Sequence, residues 1–159
     1  MEQMLSTKIT KSPRSGVVMV ESQALRLSQA IAAYQTSQVA WLIGKLAEKG
    51  FKGLTPTHVS FLSALDCADN FASEIARRLN LSRQAVHKTV AELTDFGFIE
   101  SIPNDAKRNS KIIQITEQGE ALIAEARNLY ADLDKSLTAD CTAQDIERLI
   151  ELLNGQFSI

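Results

Sequence analysis

The chain has 159 residues, 45% of them hydrophobic, and a formal net charge of −2. That is enough apolar material for one domain with extensions, and no apolar run approaches the ~18 residues that span a bilayer. A basic start (Lys8, Lys11, Arg14) is followed by only the short run Val17-Val18-Met19-Val20, too little for a secretory leader, so a cytoplasmic protein is expected.

Residues 1–20 lack sustained periodicity and read as a loose arm. From 21 to 50 a long helical pattern follows, carried by Leu27, Ile31, Tyr34, Trp41, Leu42 and Leu46 and stopped by Gly50. A helix of that length covers on the order of 40 Å, more than a small domain covers by itself, and its apolar stripe is wide enough to call for a partner helix. Thr55-Pro56 opens the next helix, with proline where its missing amide costs nothing and Val59, Leu62 and Leu65 as the inward stripe. His58, near its start, reads as a surface or interface side chain.

Two shorter helices come next, Ala72 to Leu79 and Arg83 to Phe96, separated by Asn80-Leu81. Ser82 is placed to cap the second, Gly97 to end it, and Val86, Val90 and Leu93 to bury its inner face. Helix phase then turns Gln84, Lys88 and Ala91 to solvent, flanked by Arg83 and His87. Donors of this kind can hold phosphates or read base edges, and an alanine permits close approach. Alone, such a face is also what any amphipathic helix shows to water. Glu92 and Asp95 fall farther along, away from a docked duplex.

The runs 98–102 and 111–115 are rich in β-branched residues and enclose a polar tip with Lys107 and Arg108, while Lys111 begins the return strand. A helix-turn-helix followed by a cationic hairpin is a winged helix. Between Arg77 and Lys111 seven Lys or Arg face four Asp or Glu, a local +3, whereas the remainder carries ten cations and fifteen anions. After the wing, Thr116, Gly119 and Glu120 mark a helix with an apolar seam through Leu122, Ala126, Leu129, Leu133 and Leu137. Thr142 starts a last one, with Ile146, Leu149, Ile150 and Leu153 on one side. The fold class is therefore mainly α with a small β-hairpin wing: a winged helix-turn-helix at 54–116, flanked by dimerisation helices at 21–50 and 117–159.

The segment EIARRLNLSRQAVHKTVAELTDFGFIE, the wing IPNDAKRNSKIIQIT and the following Glu117-Gln118-Gly119 resemble winged-helix transcription factors of the MarR (multiple-antibiotic-resistance regulator) family. The resemblance covers about Leu54 to Leu137. It implies homodimers on palindromic double-stranded DNA, usually as repressors, released by a small ligand or an oxidant. Ser82, Arg83, Gln84, His87 and Lys88 fall on the recognition helix, and Lys107, Arg108 and Lys111 on the wing. Where the family typically reads Asp-Pro-Arg-Asp-Arg-Arg, this chain has Asn104-Asp105-Ala106-Lys107-Arg108-Asn109. The first tip arginine is thus Ala106 and the bracing aspartate is Lys107, leaving Lys107 or Arg108 to substitute. Tyr34, Trp41 and His58 are candidates for a pocket that takes a small aromatic effector, with core packing the plainer reading of Trp41.

Cys67 and Cys141 lack metal-type spacing with His58 and His87, so no metal or other cofactor is expected. Reduced, buried thiols are the simple reading, and oxidant sensing through Cys67 or Cys141 is the alternative. No nucleophile elbow, P-loop, dinucleotide glycine pattern or zincin motif argues for an enzyme. A winged helix used for protein contacts fits the acidic total charge, but it would present an apolar recognition face rather than Gln84, His87 and Lys88.

Overall fold

The computed structural model describes residues 8–66, 68–104, 111–137 and 141–155. The chain forms two units, residues 1–41 and 42–159.

The first unit begins with a hairpin where the sequence suggested a loose arm. Strand β1 (Lys8–Lys11) pairs antiparallel with β2 (Val18–Glu21), Ile9 opposite Val20 and Thr10 opposite Met19. The connection closes through hydrogen bonds from Ser12 N to Val17 O (2.8 Å) and from Gly16 N to Ser12 O (3.0 Å). Gly16 takes φ +68°, which lets the chain reverse without a two-residue Asn-Gly turn. Helix α1 (Gln23–Glu48) follows, its start capped by Ser22 Oγ, which accepts from Leu25 N at 3.1 Å.

The second unit takes in the end of α1, where Leu42 and Leu46 are buried. Helix α2 (Pro56–Ser63) is held by a reciprocal cap: Thr55 Oγ1 accepts from His58 N, and His58 Nδ1 accepts from Thr55 N. Its buried face is His58 and Phe61, while Val59, Leu62 and Leu65 are half-buried. Helix α3 (Ala72–Arg78) and helix α4 (Arg83–Asp95) are joined through Asn80, whose φ of +51° makes the tight corner. In α4 the buried positions are Val86, Thr89 and Leu93, with Val90 only half-buried. Thr89 can be buried because its hydroxyl donates to Ala85 O at 3.0 Å.

Strands β3 (Ile99–Pro103) and β4 (Lys111–Ile115) form the wing, with Ile99 opposite Ile115 and Pro103 opposite Lys111. Buried Asn70 adds an isolated bridge to Ile113, so the α2–α3 connection lies along β4. Its side chain also accepts from Asp66 N (2.8 Å) and donates to Asp66 O and Ala68 O. Thr116 Oγ1 donates to Gly97 O (2.6 Å) and accepts from Gly119 N, starting α5 (Glu117–Leu137) as expected. Leu122 and Leu129 of its seam are buried, and Leu133 and Leu137 half-buried. Thr142 and Asp145 cap α6 (Ala143–Gly155) reciprocally; this helix has no buried residue. The core of the unit comprises Phe61, Ile75, Val86, Leu93, Ile99, Ile113 and Leu122, beside the ring pairs Phe51–Phe98 and Phe96–Phe98.

Candidate nucleic-acid interface

Helix α4 is capped by Ser82, whose Oγ accepts from Ala85 N at 3.1 Å. Its first turn contains no acidic residue, so the positive end of the helix dipole stays uncompensated. Arg83, Gln84, His87, Lys88 and Ala91 are all exposed, in the phase read from the sequence. Arg83, His87 and Ala91 line one wall of a groove of about 830 Å³. Ala72 and Ser73 of α3 line another, and Ser101 and Lys111 close it from the strands of the wing. Lys111 is therefore brought beside Arg83 and His87 from 24 or more positions along the chain by the packing of the hairpin on α4.

Three features of α4 and its surroundings are not visible in the sequence. Ser73 and Ser101 belong to it, yet only the crossing of α3 and the placement of β3 turn them inward. Asp95, expected from its position on α4 to lie away from a docked duplex, lines the same groove and brings a negative charge to it. Glu92 goes the other way: its Oε2 lies 3.0 Å from Nε2 of His58. That hydrogen bond, with smaller help from Lys88, holds the Glu92 carboxyl below the ordinary carboxylate range.

Lys107 and Arg108 of the wing tip, and Ala106 with them, lie outside the described residues. Nor is Cys67 among them; Cys141 is half-buried and its thiol donates to Leu137 O at 3.0 Å. No group of three or more His, Cys, Asp or Glu suited to a metal occurs among the described residues.

His58 corrects the reading that made it a surface or interface residue. It is 3% exposed, and both ring nitrogens are engaged, one by Thr55 and one by Glu92. Tyr34 and Trp41 lie in the first unit, where Tyr34 is 48% exposed and its hydroxyl is 3.5 Å from Gln38 Nε2. The second unit holds a largely apolar cavity of about 330 Å³ lined by Leu42, Leu46, Val59, Leu62, Leu122 and Tyr130, with Arg127 also in the lining. The half-buried stripe of α2 faces this space, which explains why Val59 and Leu62 are not closed over.

Residues 52–108 match the family model described as the MarR family. Over 83 residues the chain is 28% identical to the HTH-type transcriptional regulator TcaR of Staphylococcus aureus, covering 51% of this chain. The match spans about half (55%) of that relative's length. Among solved structures, the transcriptional regulator BldR of Sulfolobus solfataricus superposes with a TM-score of 0.66 at 23% identity, over 83% of this chain and 92% of the other. A MarR variant from E. coli complexed with operator DNA superposes with a TM-score of 0.69 at 21% identity, over 85% of this chain and 96% of the other. These likenesses share the winged helix with the fold described above. Through residues 52–108, about a third of its length, the chain is similar to the MarR family.

Proposed function

We propose that this protein is a transcriptional regulator that binds double-stranded DNA sequence-specifically, as a homodimer and in the sense of a repressor. The observation that carries this reading is the groove in which Arg83 and His87 of α4 meet Lys111 of the wing, next to exposed Gln84 and Lys88. Cations there neutralise phosphates, and an amide at the amino end of a recognition helix reads a base edge. Support comes from the relatives: one is a transcriptional regulator by name, and another was solved on operator DNA. The exposed Leu149, Ile150 and Leu152 of α6, and separately Leu27 and Ile31 of α1, favour a second copy as the covering partner. The apolar cavity beside α2 favours a small aromatic effector that shifts the spacing of the two recognition helices.

Selection from random duplex DNA tests the reading. A symmetric motif is expected, with half-sites about 10 base pairs apart. A recovered pool with no shared motif would overturn sequence-specific binding. On that motif, Gln84→Ala should cost about 1–3 kcal/mol of preference over scrambled DNA while leaving most nonspecific binding in place. Lys107→Ala with Arg108→Ala should instead weaken both duplexes and make the salt dependence shallower. Titrations of each variant against both duplexes at several salt concentrations check the division of roles, which is reversed if Gln84→Ala weakens both equally.

A further inference from the structure

His58 is a buried imidazole for which DNA contact has no direct use. The Thr55 N–H donates to its Nδ1 at 3.2 Å, so that nitrogen offers a lone pair and the ring proton sits on Nε2. Nε2–H then donates to Oε2 of Glu92 at 3.0 Å. The edge of the ring meets Phe96 at 5.6 Å and 87°, which fixes its plane. Glu92 stands one turn after Lys88 on α4, and its second oxygen, Oε1, is 3.8 Å from Lys88 Nζ. That is a loose ion pair, too long for a direct hydrogen bond. Lys88 is left 77% exposed at its side chain, while Glu92 is 41% exposed.

An unanchored glutamate four residues from a lysine on a helix closes on it, forming the usual surface pair. Here the carboxylate is anchored on its other side by a group that cannot move. We propose that His58 is a positioning residue for DNA binding: by tying Glu92 back toward α2, it keeps that negative charge from swinging over the recognition face and leaves Lys88 available to a phosphate. The proposal rests on the DNA-binding reading above. It concerns where one charge points, and it assigns His58 no contact with DNA.

Four variants of the full chain test it on the selected duplex, by fluorescence anisotropy across a salt series, with thermal melting of each. His58→Asn keeps an acceptor for the Thr55 N–H but has no atom that reaches Glu92, so it separates the helix cap from the anchor. It should weaken binding about three- to tenfold, with the slope of log K against log salt shallower by about one phosphate contact, ~0.9. Glu92→Gln removes the misdirected charge, so His58→Asn added to it should change affinity by less than about twofold. Glu92→Asp, on the exposed side of α4, withdraws the carboxylate from Nε2 while keeping its charge, and should reproduce the loss seen with His58→Asn. Equal losses from His58→Asn in the Glu92 and Gln backgrounds would mean general loosening and overturn the proposal. So would wild-type affinity of Glu92→Asp, which remains decisive if His58→Asn fails to fold. A wild-type chain that binds no duplex would overturn the DNA reading itself, whereas wild-type binding with an unaffected His58→Asn overturns only the anchor.

Discussion

Gly119 is the residue at which the fold leaves least room. It is buried, and a methyl group there would overlap the Phe98 carbonyl oxygen and press on Ile115 Cγ2. Both neighbours belong to the root of the wing, and one is backbone, so α5 itself would have to shift. Gly119→Ala should therefore cost at least about 1–3 kcal/mol, seen as a loss of several degrees in thermal melting. A second residue sets an acid limit. The Arg78 guanidinium, 2.7 Å from Asp66 Oδ2, holds the Asp66 carboxyl below its ordinary value while also donating to Ala64 O. Because the folded value lies below the unfolded one, the stabilisation is complete above the ordinary aspartate range, about pH 4, and is lost as pH falls through and below it. Asp66→Asn should melt lower than the wild type at pH 7, and the two curves of melting temperature against pH should converge on acidification. At this scale the sequence is legible where a single helix phase decides. Ser82, Gln84 and Lys88 take the places expected of them because α4 is regular. His58 was not legible, since its partner Glu92 lies 34 positions away and a histidine replaces the usual Glu or Gln of the capping box.

Elements were readable when apolar period and end signals agreed. Thr55-Pro56, Ser82, Gly97 and Thr116 all lie at real boundaries, and the wing runs are strands in which isoleucines recur on both sides of a polar turn. The hairpin of β1 and β2 is not legible in the sequence for a physical reason. Its strands are four residues each, and the turn depends on Gly16 alone rather than on a recognised two-residue pair. The inward stripe of α4 differs from the expected one at a single position, because a threonine that satisfies its own hydroxyl is buried beside a half-buried Val90. Helix α6 matches its reading as an amphipathic element, and its apolar side is uncovered within its own unit. Truncation before Asp140 should therefore weaken self-association and, through it, DNA binding. Sedimentation as a function of concentration checks this; a full-length chain that sediments as a monomer while binding DNA tightly would contradict it.

Over the whole molecule, the charges are segregated rather than balanced. The net −2 conceals the +3 between Arg77 and Lys111, so the bulk of the protein repels a polyanion that one surface attracts. On the proposed reading, such a distribution would orient the approach to DNA and make binding steep in salt. The groove's composition was half legible: its α4 wall follows from helix phase, whereas Ser73, Ser101 and Asp95 reach it only through tertiary packing. No helix among the described residues is long and apolar enough to cross a membrane.

The bridge between Asn70 and Ile113 has a consequence in time. Ile113 N donates to Asn70 O at 2.8 Å, and Ile113 O accepts from both the Asn70 backbone and its side-chain amide. The root of the wing cannot open unless the α2–α3 connection, which the same asparagine holds through Asp66 and Ala68, opens with it. Deuterium should therefore replace the Ile113 amide proton only in rare cooperative openings, hours or more after transfer to heavy water, while protection fades along β4 toward Lys111. Asn70→Ala keeps the backbone bridge but loses the side-chain bonds that fix the connection behind it, and should flatten that gradient by speeding exchange at Ile113.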